Sequence, residues 1–260
     1  MKIEVLVATT DQKNHDLLDK MNIQTDAIVA NQCSRNQIEK FTYKGKKIKY
    51  LSFSEKGVGL NRNNALSRTD ADICIIADDD MIFLDGYEKK IKKVFDENPT
   101  ADVVILNIKE KEPTRYIIRK KFKVRYYNFM RFGAARIAFR RKSVTKNSIF
   151  FNLHFGGGTE FSAGEDVLFL AACLKKKLNI IAVPEYIALL SDERKSTWFQ
   201  GYTEKFFKDK GVLYAAISNK WAWLLALQYI LRRRSQYKGK PSIKVWKLIL
   251  KGIKEFKNLR

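Results

Sequence analysis

The sequence predicts an α/β fold: a Rossmann-type, mostly parallel sheet with flanking helices, followed by a basic helical extension at the C-terminus. Over the first hundred residues, short apolar runs alternate with segments of about ten residues that have helical spacing. Polar or acidic residues follow several of these runs, as at the ligand-binding edge of an open parallel sheet. Beyond residue 200, the apolar residues recur at helical spacing alone.

The N-terminal elements follow from these patterns in chain order. The apolar runs predict strands over residues 3–8, 26–30, 47–51, 72–77 and 102–106. Helical spacing predicts helices over residues 14–20, 60–68 and 87–97, the last ended by Pro99. The residues after Ala30 predict a polar loop, and the alternation in 47–51 is typical of an edge strand.

The second half begins with a basic, aromatic insertion over residues 108–147, in which 135–141 alternates like a strand. A glycine loop (155–159), a helix (166–177) and a strand (180–183, ended by Pro184) come next. From Trp198 onward the pattern is helical, and Pro241 separates two basic helices. We therefore expect one domain over residues 1–200 and a helical extension over 201–260.

Charge is the compositional outlier, because 50 Lys and Arg against 28 Asp and Glu give a net charge of +22. Residues 111–147 hold 13 basic side chains and 1 acidic one, and residues 204–260 hold 15 and 3. The rest of the chain is nearly neutral. This segregation indicates an anionic partner, namely nucleic acid, an anionic membrane or a phosphate-bearing substrate, although basic faces that only aid solubility are the alternative.

The sequence also bears on compartment. The three cysteines form no CxxC pair, which argues against a zinc site or a disulfide framework and favours a reduced compartment. The N-terminus does not resemble a signal peptide, and the apolar run near residues 221–231 is too short to span a bilayer. We therefore expect a cytoplasmic protein, peripheral on the inner face of the membrane.

Three consecutive carboxylates, Asp78, Asp79 and Asp80, follow the most apolar predicted strand. Adjacent like charges repel, and a bound divalent cation would relieve that repulsion. Mg²⁺ or Mn²⁺ held by one or two carboxylates keeps coordination positions for substrate phosphates. A solvated acidic turn is the alternative.

A second acidic pair, Glu165 and Asp166, opens a helix directly after a glycine-bearing segment. A carboxylate placed there can act as a general base. Acidic residues in a first helical turn are also favoured by the helix dipole alone, and that remains the alternative.

In this order and at these separations, the motifs resemble the family 2 inverting glycosyltransferases of the GT-A fold, over roughly residues 1–200. The strand ending at Ala8-Thr9-Thr10-Asp11 stands where that family contacts the nucleotide base. The segment 57–65 resembles the family's Arg-Asn segment, and 75–80 resembles its acidic DxD triplet. Gly164-Glu165-Asp166 resembles the Glu-Asp motif whose aspartate is the catalytic base.

The resemblance implies a role for each matched residue. It implies Asp166 as the catalytic base and a Mn²⁺ or Mg²⁺ site on Asp78 and Asp80. The implied donor-binding residues are Thr9, Thr10, Asp11, Asn31, Arg62, Asp78 and Asp79. The expected acceptor-side residues are His154, Gly157, Gly158 and Glu165. Two positions differ from the family: Asn31-Gln32 replaces a clear acid, and Ser191-Asp192 stands nearest the place of a metal-binding histidine.

The implied function is inverting transfer from a nucleotide-sugar, with a UDP-sugar favoured, to a glycan or lipid-linked acceptor in cell-surface polysaccharide synthesis. The basic tail, with its tryptophans, predicts contact with an anionic membrane surface. A single-stranded nucleic-acid-binding module is one alternative, but it leaves the acidic motifs without a role, so we expect no nucleic-acid partner. A sugar-phosphate nucleotidyltransferase is another, although residues 8–13 lack the glycine-rich loop that its chemistry favours.

Overall fold

The computed structural model describes residues 1–191 and 201–258, whose strands form one ten-stranded sheet. The strands of the N-terminal half are β1 (Ile3–Thr10), β2 (Asp26–Gln32), β3 (Gln37–Tyr43), β4 (Lys46–Phe53) and β5 (Ile73–Asp78). β4, β2, β1 and β5 lie side by side and are parallel, and β3 pairs antiparallel with β4 at the sheet edge. This parallel block aligns the carboxyl ends of four strands.

The remaining strands are β6 (Met81–Phe83), β7 (Val103–Lys109), β8 (Phe122–Lys123), β9 (Ile137–Arg140) and β10 (Ile180–Leu190). β9 lies between β5 and β7 and is antiparallel to both. β10 is parallel to β7 and antiparallel to β6 and β8. The basic insertion is thus built into the sheet through β8 and β9.

Helices cover both faces of the sheet. They are α1 (Leu17–Lys20), α2 (Val58–Leu66), α3 (Tyr87–Glu97), α4 (Arg141–Lys146), α5 (Glu165–Lys175), α6 (Glu204–Ile217), α7 (Ala222–Arg232) and α8 (Ser242–Asn258). Apolar residues of α1 and α3 pack in one hydrophobic core. Those of α2, α4, α5 and α6 pack in a second core on the opposite face. The predicted fold class is confirmed.

Three details of the sequence prediction are wrong. Residues 37–43, within the expected polar loop, form β3, so β4 is not the edge strand. The expected helix over 14–20 is a single turn, α1. Pro184 does not end its strand, because β10 shifts register against β7 between Ala182 and Tyr186. Such an irregularity tolerates a residue that has no N–H to donate.

The C-terminal helices pack against one another and on the second core. The backbones of α6 and α8 are in contact at Gly211 and Gly252. A Cβ atom at either glycine would collide with the backbone of the facing helix. Val245 and Ile249 of α8 are fully buried there. The predicted helical start at Trp198 lies outside the described residues. Within the described ranges, no helix combines the length and apolarity needed to cross a membrane.

Candidate active site

The carboxyl ends of β1, β2 and β5 bring the predicted donor-side residues to one edge of the sheet. In the parallel register Ala8 lies opposite Asp78, and Thr9 lies opposite Asn31. The Thr9 hydroxyl donates to Asp79 Oδ2 at 2.5 Å. Two motifs about seventy residues apart in the chain are therefore in direct contact.

Asn31 and Gln12 hold the loop that follows β1. The buried Asn31 side chain accepts from the backbone N–H of Gln12 and donates to its carbonyl oxygen, both at 3.0 Å. Gln12 Nε2 donates to Thr9 Oγ1 at 3.0 Å. Thr10 and Asp11 are exposed at this edge, and Asp11 has a φ of 54°, in the left-handed region. Asn31 thus fixes the conformation of the loop that presents Thr10 and Asp11.

Arg62 connects the two acidic motifs. Its Nη2 donates to Asp78 Oδ1 and its Nη1 donates to Glu165 Oε1, both at 2.6 Å. The residue is 3% exposed, and its guanidinium lies 5.4 Å from the centre of the Phe151 ring. Burial opposes the charge, but the carboxylates of Asp78 and Glu165 raise the pKa of Arg62 above its already high ordinary value, so it stays a cation.

The residues beside Arg62 anchor α2 to the surrounding segments. Asn61 Nδ2 donates to the carbonyl oxygens of Thr9 and Ala30, at the ends of β1 and β2. Asn63 exchanges two hydrogen bonds with the backbone of Phe151. Consecutive side chains of one short helix therefore bind the donor-side strands, the acidic motifs and the segment before the glycine loop.

The glycine loop packs against α2 and Glu165. Gly157 O accepts from the Val58 N–H at 3.0 Å. Gly156 has a φ of 103°, and a Cβ there would lie 2.7 Å from Glu165 Oε2, so only glycine fits. Glu165 is buried, with Oε1 on Arg62 and Oε2 accepting from the Gly164 N–H. Within the described residues, the Glu165 side chain therefore makes its hydrogen bonds to Arg62 and to the Gly164 backbone.

Asp166 is partly exposed and opens α5. Burial, then the charge of Glu165, raises its pKa to about 7, against the lowering effects of the Val167 N–H and Arg62. Its Oδ1 accepts from the Val167 N–H at 2.7 Å. A Cβ on Gly133 would lie 3.5 Å from Oδ2, so this oxygen faces the insertion. A carboxylate whose pKa is near neutral is suited to general-base chemistry.

Asp80 lies at the turn between β5 and β6. Burial, then the charges of Asp78 and Asp79, raises its pKa to about 6. Its carbonyl oxygen accepts from the Ser191 N–H at 2.7 Å, so the chain after β10 begins at this turn. Asp192, the residue nearest the family's histidine position, lies outside the described residues.

A divalent cation fits the chemistry of this turn. No group of three or more His, Cys, Asp or Glu in residues 1–191 and 201–258 is arranged as a metal cluster. Mg²⁺, however, is commonly held by one or two protein carboxylates, with water and substrate phosphates completing the shell. Asp78 and Asp80 supply two such carboxylates, and burial together with the charges of Asp78 and Asp79 disfavours the charged form of Asp80.

The structure brings most of the predicted site residues together, but His154 is placed apart. Its side chain is exposed and lines a cavity of about 480 Å³ with Leu168 and Ala172 of α5. Gly158 is exposed in the glycine loop, and a Cβ there would lie 3.2 Å from Gly57 N. Sequence reasoning missed Gln12 and Gly133. Asn61 lies within the 57–65 segment, and the similarity of that segment to the family's Arg-Asn segment is the sequence signal that points to it.

The sequence matches the family model described as Glycosyl transferase family 2 over residues 15–168. The chain belongs to glycosyl transferase family 2. The matched range begins in the loop after β1 and includes the acidic triplet and the Glu165-Asp166 motif. The glycosyltransferase assignment made from the sequence is thereby confirmed. A search of curated protein sequences gave no significant match.

Solved structures confirm the fold of this glycosyltransferase. The S. aureus TarS fragment 1–349 in complex with UDP-GlcNAc has a TM-score of 0.68 and 17% identity, covering 96% of this chain and 80% of that one. The same fragment in complex with UDP has a TM-score of 0.62 and 18% identity, covering 92% and 76%. A longer S. aureus TarS structure has a TM-score of 0.63, and the match spans 46% of it. At these identities the similarity shows the GT-A fold alone.

Proposed function

We propose that this glycosyltransferase moves a sugar from a nucleotide-sugar, a UDP-sugar by preference, to an acceptor hydroxyl with inversion at the anomeric carbon. The Arg62 bridge carries the proposal, because one buried cation holds both the acidic triplet and the Glu165-Asp166 motif. A donor diphosphate at the triplet and an acceptor hydroxyl at Asp166 would therefore share one site. The TarS complexes with UDP-GlcNAc and UDP support the choice of donor by analogy of fold.

The donor side is assigned to the edge formed by Thr9, Thr10, Asp11 and the acidic triplet. Asp78 and Asp80 would hold Mn²⁺ or Mg²⁺, which when bound offsets the negative charge that develops on a diphosphate leaving group. Asp79 is oriented by Thr9. Since both Arg62 terminal nitrogens bind protein carboxylates, we assign Arg62 to positioning the two motifs, and Asn31 to holding the donor-side loop.

Asp166 is assigned as the general base. Its Oδ1 is engaged by the Val167 N–H, so Oδ2, on the side facing Gly133, would accept the proton from the acceptor hydroxyl. The acceptor oxygen, having lost its proton, then attacks the anomeric carbon from the face opposite the departing diphosphate, which inverts the configuration. A base of this kind contributes about 10²–10⁴-fold to the rate.

Nucleotide binding tests the donor assignment directly. Melting temperatures of the protein are measured with UDP, GDP, ADP and CDP, each with Mn²⁺ and with chelator, and nucleotide-sugars are then screened for nucleoside diphosphate release. We expect one nucleoside diphosphate to stabilise the protein only with metal, because the ligand binds the folded state. Salt-sensitive binding of oligonucleotides without metal dependence would instead support a nucleic-acid-binding module.

We further propose that α7 places the enzyme on an anionic membrane, where a lipid-linked or cell-surface glycan acceptor would be presented. Trp223, Leu227 and Leu231 form an exposed stripe on α7, with Trp221 at its start. Arg232, Arg233 and Arg234 follow and are exposed. In α8, by contrast, the central apolar residues are buried against α6. An apolar stripe next to arginines is typical of a helix lying in an anionic interface.

Vesicle sedimentation tests the membrane proposal. Replacing Arg232, Arg233 and Arg234 by Ser should weaken binding to anionic vesicles by up to about a hundredfold, at about 1 kcal/mol per charge. The matched control replaces Lys89, Lys92 and Lys93 of α3 by Ser, which removes the same charge from the other face of the sheet. Equal vesicle binding by both variants and the wild type would refute the proposed membrane role.

A further inference from the structure

The positive charge of residues 111–147 divides into two groups. Arg136, Arg140 and Arg141 donate to backbone carbonyl oxygens at 2.7–2.9 Å through Nε, so these arginines hold the fold together. The cations of residues 111–131 are different, because all of their side chains are exposed. Hydrogen bonds within the protein therefore explain only some of the basic residues in this segment.

Several of the exposed cations border one cavity of about 580 Å³. Arg115, Arg119 and Lys120 line it together with the aromatic rings of Tyr116 and Phe122. Arg115 forms an ion pair with Glu110. Arg119 and Lys120 have no acidic partner within ion-pair distance in the part of the chain that the structure describes. The cavity thus combines uncompensated positive charge with aromatic surface.

A buried polar network fixes the wall of this cavity. The Asn107 amide donates to the Ile118 carbonyl oxygen and accepts from the Ile118 N–H. Arg136 donates through Nη1 to the Tyr116 carbonyl oxygen and through Nη2 to Asn107 Oδ1, both at 2.8 Å. Since Asn107 and Arg136 are 1% and 2% exposed, the segment carrying Arg115 and Arg119 is anchored to β7.

The cavity adjoins the candidate active site through Phe132. The rings of Tyr116 and Phe122 each contact the Phe132 ring, with ring centres 6.2 and 6.4 Å from it. Gly133, next to Phe132, approaches Asp166 Oδ2. The chain of contacts therefore leads from the cavity to the side of Asp166 on which we place the acceptor.

We propose that this cavity binds an anionic group of the acceptor, so that the acceptor is a glycan or polymer bearing phosphate or carboxylate groups. Arginine forks bind either anion in a bidentate manner, and Tyr116 and Phe122 add apolar surface to the cavity wall against which a sugar ring can pack. The proposal rests on the proposed function, because it identifies the acceptor class of that same site. It excludes a neutral glycan as the preferred acceptor.

Direct binding of labelled oligomers tests the proposal without requiring transfer. Fluorescence anisotropy compares a glycerol-phosphate oligomer, an oligouronate, an RNA oligomer of the same charge and a neutral maltooligosaccharide of equal length, at low and high salt. We expect at least one anionic oligomer to bind and the neutral one to bind at least tenfold more weakly. The phosphate and carboxylate arms identify which anion is recognised.

Variants locate the binding. The double variant Arg119→Ser and Lys120→Ser should weaken binding of the anionic oligomer by about ten- to hundredfold, as expected for two lost charge-assisted contacts. The control Lys142→Ser and Lys146→Ser removes two exposed lysines of α4 from the same basic segment and should bind as wild type does. Thermal unfolding of both variants checks that each is folded.

Three outcomes would overturn the proposal: equal binding by both double variants, equal binding of the neutral oligosaccharide, or preference for an RNA oligomer of the same charge. Metal-dependent binding of nucleoside diphosphate is measured on the same samples. If that binding fails while the anionic oligomer still binds through Arg119 and Lys120, the proposed function is wrong and the anion site stands. If it succeeds and oligomer binding fails, only the acceptor class is wrong.

Discussion

The two acidic motifs share one arginine but occupy different surroundings. Asp78 follows a strand at the open edge of the sheet, and its side chain is 38% exposed. Glu165 opens a helix beneath the glycine loop, and its side chain is 11% exposed. Burial contributes most to the raised pKa of both Asp80 and Asp166, but the additional charges come from the triplet itself in one case and from Glu165 in the other.

This difference separates the two tasks that the site is proposed to perform. An open cluster of carboxylates can exchange water for a cation and a diphosphate, which binding and release of the donor require. A partly exposed carboxylate whose pKa lies near 7, such as that of Asp166, can take and return a proton at neutral pH. Arg62 keeps the two motifs at a fixed separation, so changing either motif or the arginine should give distinct results.

The largest effect is expected from the triplet. Asp78→Ala and Asp80→Ala should each abolish transfer and metal-dependent nucleotide binding, because each removes a proposed metal ligand. Nucleoside diphosphate release and melting temperature with Mn²⁺ measure the two properties. Asp96→Ala, at an exposed aspartate of α3, serves as the control. Normal activity with unchanged Mn²⁺ dependence in either triplet variant would refute the metal assignment.

Asp166→Asn should leave nucleotide affinity intact and lower turnover by about two to four orders of magnitude, since the amide cannot accept the proton. Steady-state kinetics and nucleotide titration separate the two effects. Glu160→Gln, at an exposed glutamate near the glycine loop, is the matched control. If nucleotide affinity fell together with turnover, Asp166 would be a donor ligand and not the base.

Arg62→Met should destabilise the protein by about 3–5 kcal/mol, because it leaves the buried Glu165 carboxylate without its partner. Urea unfolding measures the loss. Arg62→Lys retains the charge and should recover part of the stability. Its single ammonium group, however, cannot place one nitrogen beside each of the two carboxylates, as the guanidinium does. Equal stability of the Met variant and wild type would show that the bridge does not hold the motifs together.

The smallest effect is a pH dependence. On the acid side, kcat/KM should rise about tenfold per pH unit up to about pH 7 and then level, because Asp166 must be ionised to act. Asp166→Asn should abolish this limb, whereas Glu160→Gln should preserve it. A profile that is flat between pH 5 and 7 in wild type would contradict the assignment.

The same group links pH to stability. Because its pKa is higher in the folded than in the unfolded state, protonated Asp166 favours folding. That contribution is complete below about pH 4 and is lost as pH rises through about 7. Without metal, unfolding free energies measured from pH 4 to 8 should therefore decline less in Asp166→Asn than in wild type.

Local patterns in the sequence determined most of the fold. The bounds of α3 agree with its apolar spacing, and the apolar runs identified β1, β2, β4, β5 and β7. The rule that carboxyl ends of parallel strands share one edge placed Thr9 near the acidic triplet. These features are readable because they depend on neighbours within a few residues or on a general property of parallel sheets.

Only the tertiary structure decided the rest. The sequence did not show that Arg62 is buried, or that it binds Glu165, 103 residues away. Nor did it show that β9 enters the sheet between β5 and β7, or that α8 buries its apolar face while α7 exposes one. The physical reason is common to these cases. The local sequence shows that a helix face is apolar or that a charged residue is present. Which residue or surface it contacts depends on long-range packing, and a local pattern does not encode that packing.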